Sequence, residues 1–181
     1  MNPSPIASAP PHQVWPYTGT TRTAQVMLDA AKGPRGAQNL AFRLAMEDIV
    51  RFVQPRDQLS QLAALNHWFS SHHGYLKDPV PTELVKDPLY TLEEIQKKGV
   101  FVGDCDDAAT FISGGAMALG IKAYPIRVGF NRPTRIIKTR IKPPFVHVLV
   151  VARDQYGRAV VIDPVAGEKT YKMLRETTRF G

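Results

Sequence analysis

Three residue types in this sequence could together carry out nucleophilic chemistry: a cysteine, a histidine and an aspartate. Cys105 is the only cysteine among the 181 residues; His147 follows it by 42 residues, and Asp163 follows His147 by 16. A thiol is activated when an imidazole lies beside it and a carboxylate holds the second imidazole nitrogen. The set therefore indicates attack of Cys105 on an amide carbonyl, with His147 exchanging the proton and Asp163 orienting the ring.

The surroundings of Cys105 predict that it opens a helix. Residues 103–109 read Gly-Asp-Cys-Asp-Asp-Ala-Ala and are followed by apolar residues at helical spacing. Asp104 is a natural N-cap and Asp107 stands three positions later, which would place Cys105 in the first turn of a buried helix. Amide donors and the helix dipole favour the thiolate there. Asp104, Asp106 and Asp107 oppose it by like charge, so a cationic partner must outweigh them.

His147 and Asp163 are polar residues in apolar segments that have the character of strands. Alternation places His147 on the same face as Leu149 and opposite Val148. If the sheet packs on the Cys105 helix, the imidazole and the sulfur can meet as an ion pair. Asp163 stands where a Val- and Ile-rich segment stops before Pro164, and from a neighbouring strand it could accept a hydrogen bond from the ring.

Each of these residues also has an ordinary structural interpretation. A lone cysteine is commonly a buried, inert thiol, a histidine in an apolar strand is commonly part of the core, and an aspartate before proline can cap a turn. The three aspartates around Cys105 lack the alternating ligands and the glycine of a calcium loop. We therefore expect them to act as caps and supporting contacts, and we expect no metal and no other cofactor.

Helices are predicted in the first half of the chain. Apolar residues recur at helical spacing from Thr21 onward in three segments, separated by Gly33-Pro34 and by Pro55, and Asp57 can cap the third. Residues 91–94, Thr-Leu-Glu-Glu, form a capping-box pattern that predicts a short helix starting there and ending at Gly99. Gly114-Gly115 within the Cys105 helix predicts close backbone packing.

Strands are predicted in the second half of the chain. Residues 123–129, 145–152 and 159–162 are short, rich in Val and Ile, and separated by turn formers. Helices followed by strands predict an α+β fold, in which N-terminal helices and the central helix opened by Cys105 pack on an antiparallel sheet.

Length and composition favour one folded domain. Residues 1–20 contain five prolines among Ser, Ala and Thr and predict a flexible arm, whereas residues 21–181 predict a single domain. Hydrophobic residues make up 44% of the chain, which excludes a disordered protein, and a single cysteine excludes an intrachain disulfide. The absence of a signal-like segment or a long apolar run favours a cytoplasmic protein without a membrane partner.

A basic stretch lies between the first two predicted strands, and the chain carries a formal net charge of +7. Its ordinary interpretation is a solvated loop, and its functional interpretation is an arm beside the His147 strand that recruits an acidic partner. Few aromatic residues interleave these charges, which argues against a nucleic-acid partner. The stretch consists of Arg132, Arg135, Lys138, Arg140 and Lys142.

Taken together, these motifs resemble the transglutaminase-like superfamily of papain-like cysteine enzymes. The resemblance rests on the run from Gly103 to Gly120, the isolated strand histidine His147 and Asp163-Pro164 at a strand end. It extends upstream to features shared with small transglutaminase-like proteins of phage and prophage genomes and covers nearly all of the chain outside the arm. The upstream features are His72-His73-Gly74-Tyr75, Asp78-Pro79 and Asp87-Pro88.

The resemblance implies a cysteine peptidase, an amidase or an acyltransferase that acts on a peptide or protein amide through a thioester. Cys105 would then be the nucleophile, His147 the general base and acid, and Asp163 the orienting group. The alternative is a structural or adaptor protein of a phage particle or prophage locus that keeps the fold without required chemistry.

The oxyanion site departs from the family pattern. Transglutaminases of this superfamily use a tryptophan to help hold the oxyanion, and neither Trp15 nor Trp68 can be aligned with that role. The Cys105 amide can supply one donor, and the second is unassigned. The further candidates for supporting or substrate-binding positions are Asp104, Asp106, Asp107, Tyr75 and Trp68.

Overall fold

The computed structural model describes residues 12–14, 20–78, 83–128, 147–166 and 172–173. Within these ranges the chain has the predicted α+β fold, with five helices, a four-stranded antiparallel sheet and two small two-stranded sheets. None of the helices in the described ranges is long and apolar enough to cross a membrane. The basic stretch at 132–142 lies outside these ranges, so its role stays a prediction.

Three helices form the first part of the fold: α1 (Thr20–Lys32), α2 (Leu40–Ile49) and α3 (Gln58–Ser71). Asp57 caps α3, as predicted, and its carboxylate accepts a hydrogen bond from the Ser60 backbone N–H at 3.1 Å. Asn39 caps α2 in the same way. Both caps satisfy amide groups that a helix start would otherwise leave unpaired.

Helix α4 (Pro88–Lys98) begins one turn earlier than the capping-box pattern predicted. Asp87 is its N-cap, and Pro88 occupies the first turn, where the missing N–H costs nothing and the fixed φ suits a helix. Thr91, the predicted cap, is fully buried inside the helix. The predicted end at Gly99 is confirmed, since this residue adopts a φ of 75°, which glycine tolerates without strain.

Two small sheets join distant parts of the chain. Strand β1 (His12–Val14) pairs antiparallel with β3 (Glu83–Val85), and β2 (His73–Tyr75) pairs parallel with β4 (Phe101–Gly103). The N-terminal arm therefore contributes ladder hydrogen bonds at residues 12–14, which its composition did not predict. Residues 1–11 and 15–19 lie outside the described ranges, so the flexibility of the arm and the division from a domain at 21–181 stay predictions.

The central helix α5 (Cys105–Ala118) packs on the main sheet, as predicted. Helices α1 to α4 also contact it, so that nearly all of its residues are buried. The sheet runs antiparallel in the order of its strands, which are β5 (Ala123–Val128), β6 (His147–Arg153), β7 (Ala159–Ile162) and β8 (Lys172–Met173).

Gly114 and Gly115 allow this close packing around α5. A Cβ atom at Gly114 would lie 2.8 Å from Cγ of Pro88, and one at Gly115 would lie 2.9 Å from Cδ2 of Leu65. Both distances are shorter than carbon atoms tolerate in a packed core. The two glycines therefore admit neighbouring elements that any side chain would displace, and they fix the position of the helix that begins with Cys105.

Candidate active site

Cys105 is the first residue of α5 and directly follows the N-cap Asp104, as the sequence predicts. The Asp104 carboxylate accepts a hydrogen bond from the Asp106 backbone N–H at 3.2 Å. The cysteine is half-buried, and its sulfur lies against the backbone N–H of Val148 in β6. The nucleophile candidate is thus held between a helix start and the beginning of a strand.

His147 and Asp163 are brought together at the same end of the main sheet. Nε2 of His147 lies 2.8 Å from Oδ2 of Asp163, and the two side chains are 19% and 15% exposed. Oδ1 of Asp163 accepts hydrogen bonds from the backbone N–H groups of Val165 at 3.1 Å and Ala166 at 3.2 Å. A tight turn after β7 therefore fixes the carboxylate, and the carboxylate in turn orients the ring.

The sulfur of Cys105 contacts the backbone at the beginning of β6, where His147 is the first residue. Val148 and Val150 of β6 are buried in the core, while His147 and Leu149 are half-buried in the alternate positions, as predicted. The nitrogen of Val148, which contacts the sulfur, is bonded to the carbonyl carbon of His147, so the sulfur lies beside the backbone of His147 at the strand end.

The electrostatics of Cys105 differ from the expected thiolate. Burial, the Asp104 carboxylate and then Asp106 raise its pKa to about 12, although the N–H groups of Val148 and of Cys105 itself oppose the shift. Helix dipole and amide donors are therefore outweighed by burial and like charge. The resting sulfur carries its proton at neutral pH.

The two buried aspartates after Cys105 have different environments. Burial, and then a hydrogen bond to Asp104, hold the pKa of Asp106 well above its usual range. Burial raises the pKa of Asp107 to about 6, although Lys86 lowers it. Asp107 accepts a hydrogen bond from the backbone N–H of Lys86 at 2.7 Å and forms an ion pair with its ammonium group. The Asp107 carboxylate therefore bonds to Lys86 and does not complete a capping box with Asp104.

The carboxylates of Asp104, Asp106 and Asp107 lie within 4.8 Å of one another, close enough to share a cation. Lys86 compensates Asp107, and Asp106 shares a side-chain hydrogen bond with Asp104. Buried polar groups of this kind are stabilised by such partners. We assign them to the support of the first turn of α5.

Tyr75 and Trp68 occupy different surroundings. Tyr75 ends β2, is 57% exposed, and its phenol interacts electrostatically with Cys105, Asp104 and Asp106. The ring of Trp68 contacts those of His72 at 4.6 Å and Phe111 at 6.1 Å. Trp68 is half-buried and packs against the hydrophobic core, and its role at the site stays a prediction.

Two site groups have no signal in the sequence. Lys86 forms the buried ion pair with Asp107, yet it stands in a segment without helical or strand periodicity. The Val148 N–H is a backbone group, which residue types cannot reveal. A cavity of about 500 Å³ lies at the opposite end of α5, beside Met117 and Leu119, and is separate from the Cys105 site.

We expect iodoacetamide to alkylate Cys105 slowly at pH 7 and faster as the pH rises. A shift of the thiol pKa from 9.0 to about 12 lowers the thiolate fraction at pH 7 by about a thousandfold. Because the thiolate is the reacting form, the alkylation rate should increase about tenfold for each pH unit up to pH 10. Loss of free thiol measures this rate.

Asp104→Asn should raise this alkylation rate at every pH, because asparagine keeps the N-cap but removes the charge beside the sulfur. A wild-type rate at pH 7 as fast as that of a free cysteine, and flat between pH 6 and 9, would contradict the protonated resting thiol.

The similarity of this chain to known proteins is a similarity of fold alone. No family model and no curated protein matches the chain. Its structure is similar to a solved structure from Cytophaga hutchinsonii that is provisionally assigned as a cysteine protease, with a TM-score of 0.53 over 77% of this chain and 16% sequence identity. The match covers 42% of that protein, so this chain spans less than half of its length.

Proposed function

We propose that this chain is a cysteine-dependent hydrolase of the transglutaminase-like type, which cleaves an amide bond through a thioester on Cys105. The observation that carries the proposal is the His147–Asp163 hydrogen bond of 2.8 Å beside a sulfur that contacts the next amide along the same strand. The fold similarity to a provisionally assigned cysteine protease supports it. A peptide or protein amide is the substrate class that such a site suits.

In the first half of the reaction, the sulfur of Cys105 attacks the substrate carbonyl. Because the resting thiol is protonated, His147 takes its proton as the carbon–sulfur bond forms. Nε2 of His147 is engaged by Asp163, so Nδ1 is the atom assigned to this transfer. The carboxylate stabilises the imidazolium, and the carbonyl oxygen becomes an oxyanion that the Cys105 backbone N–H can bind.

In the second half, the imidazolium of His147 gives its proton to the leaving nitrogen, the carbon–nitrogen bond breaks, and a thioester remains on Cys105. Water then attacks the thioester while His147 accepts a proton from it. The sulfur leaves as the carboxylic acid forms and regains the proton from His147. An amine in place of water would give acyl transfer by the same steps.

We expect p-nitrophenyl acetate to give a burst of p-nitrophenol, stoichiometric with the protein, followed by slower turnover. Cys105→Ala should abolish both phases, because the thioester can no longer form. Adding hydroxylamine should divert the acetyl group to the hydroxamate, which tests transfer against hydrolysis.

The control for this experiment is the folded state of the Cys105→Ala variant, checked by its circular dichroism and thermal unfolding. Turnover that persists in a folded Cys105→Ala protein would contradict the proposal. Absence of any turnover by the wild-type protein would also contradict it and would leave the adaptor hypothesis.

A further inference from the structure

The side chain of Tyr75 projects from the small β2–β4 sheet toward the first turn of α5. Tyr75 lies opposite Gly103 in the parallel pairing, and residues opposite each other project to the same face of a sheet. The position of a Cβ atom at Gly103 identifies that face, because this atom would meet the carboxylate of Asp107 and the ring of Phe101.

His73, two residues before Tyr75, supports the same orientation. Its ring stacks on Phe69 at 4.9 Å and on Phe101 at 6.1 Å, and its Nε2 lies 3.1 Å from the carbonyl oxygen of Gly103. Strand residues two apart share a face. His73 is therefore the inner residue of that face, and Tyr75 is the outer residue, at the end of the strand beside Cys105.

The phenol of Tyr75 is accessible from the solvent and close to the nucleophile. The residue is 57% exposed, and its phenol interacts electrostatically with Cys105, Asp104 and Asp106. Burial and these neighbouring acidic groups raise the pKa of Tyr75, so its hydroxyl keeps its proton at neutral pH. A protonated phenol is a hydrogen-bond donor. Within the described ranges, no hydrogen bond engages this hydroxyl.

We propose that the Tyr75 hydroxyl is the second donor to the oxyanion that forms when Cys105 attacks a carbonyl, beside the backbone N–H of Cys105. This inference rests on the proposed function. It assigns to a residue of β2 the donor role that the sequence left unassigned; the ring contacts of Trp68 are with His72 and Phe111. The hydroxyl acts on developing charge, so it stabilises the transition state more than the bound substrate.

The test compares acylation, which creates an oxyanion, with alkylation, which does not. Tyr75→Phe should slow the p-nitrophenol burst from p-nitrophenyl acetate by about 100-fold, the loss typical of one oxyanion donor. The loss should fall on the rate constant of acylation at saturating substrate, with KM little changed. Alkylation of Cys105 by iodoacetamide should stay within about twofold of the wild-type rate, because no carbonyl oxygen becomes charged.

Tyr156→Phe is the matched control. Tyr156 is 74% exposed, lies in the turn between β6 and β7, and its ring contacts the guanidinium of Arg158. Loss of its hydroxyl should leave both reactions unchanged. Unchanged rates in Tyr156→Phe would show that a loss in Tyr75→Phe is not a general effect of removing a surface phenol.

The outcomes separate this inference from the function on which it rests. If the burst depends on Cys105 but Tyr75→Phe acylates at the wild-type rate, the Tyr75 assignment is wrong and the proposed function stands. Equal slowing of acylation and alkylation would also overturn the assignment, because the phenol would then act on the thiol. If the wild-type protein gives no Cys105-dependent burst, both proposals fail.

Discussion

His147→Ala is expected to slow acylation of Cys105 by p-nitrophenyl acetate by about a thousandfold, within the range of general acid–base catalysis. The thiol pKa of about 12 means that very little thiolate is present at neutral pH, so attack needs a base at the moment of bond formation. His147, whose Nε2 lies 2.8 Å from Oδ2 of Asp163, is that base in the proposed mechanism. The burst rate at pH 7, followed by stopped-flow absorbance, measures the effect.

His67→Ala provides the control, since His67 is an exposed histidine on α3. Imidazole in the buffer should restore part of the lost rate to His147→Ala and none to Cys105→Ala, because only the first variant retains the nucleophile. A burst in His147→Ala within tenfold of the wild-type rate would show that another group removes the proton.

Lys86→Met is expected to lower the free energy of unfolding by about 3–5 kcal/mol, because it leaves the buried carboxylate of Asp107 without its counter-charge. The Asp107 side chain is fully buried and that of Lys86 is 14% exposed, so solvent screens this pair weakly. Methionine preserves most of the apolar stem. Urea denaturation at pH 8 measures the loss.

The loss should be smaller at pH 5 than at pH 8. The folded-state pKa of Asp107 already lies above the ordinary value of 3.8, and removal of Lys86 raises it further. When folding raises the pKa of a carboxyl group, protonation at low pH stabilises the folded state. This stabilisation is lost as the pH rises through the pKa of the group in the folded state. Protonation at pH 5 therefore relieves the buried charge.

Lys98→Met is the matched control for Lys86→Met. Lys98 pairs with Glu94 one helical turn away, but its side chain is 62% exposed. Solvent screens an exposed pair of this kind, so its loss should change the free energy of unfolding far less than the loss of Lys86. Adding Asp107→Asn to Lys86→Met should recover part of the stability, since the uncompensated charge is then gone. Lys86→Met and Lys98→Met proteins of equal stability at pH 8 would contradict the importance of the buried pair.

Local signals were sufficient to predict the start of α5 and the strands that carry His147 and Asp163. An aspartate before a helical apolar pattern satisfies free amide groups in almost any context, which is why Asp104 and Asp57 cap helices as predicted. Val- and Ile-rich segments between turn formers predicted three strands of the main sheet to within a few residues.

Non-local contacts account for most of what the sequence did not reveal. The capping-box pattern at Thr91 is outcompeted by Asp87 and Pro88, which start α4 one turn earlier and bury Thr91. The parallel pairing of His73–Tyr75 with Phe101–Gly103 joins residues far apart in the chain, and three-residue strands carry too little pattern to predict it. That pairing places Tyr75 opposite Gly103, two residues before Cys105.

The charge state of Cys105 required the three-dimensional structure for the same reason. Residue types identify both the helix N-terminus, which favours a thiolate, and the aspartates, which oppose it. The balance depends on burial of the sulfur and on its distance from Asp104, and neither quantity can be obtained from spacing. The structure shows that burial and like charge prevail, which makes His147 necessary during attack in the proposed mechanism.

The most direct test is to locate the acyl group during turnover. Wild-type protein mixed with p-nitrophenyl acetate, quenched with acid within the burst and digested with a protease should carry one acetyl group on the peptide that contains Cys105, by mass spectrometry. His147→Ala quenched at the same time should carry almost none. Acetyl groups on lysine or hydroxyl side chains, with Cys105 unmodified while p-nitrophenol is released, would contradict thioester catalysis at this site.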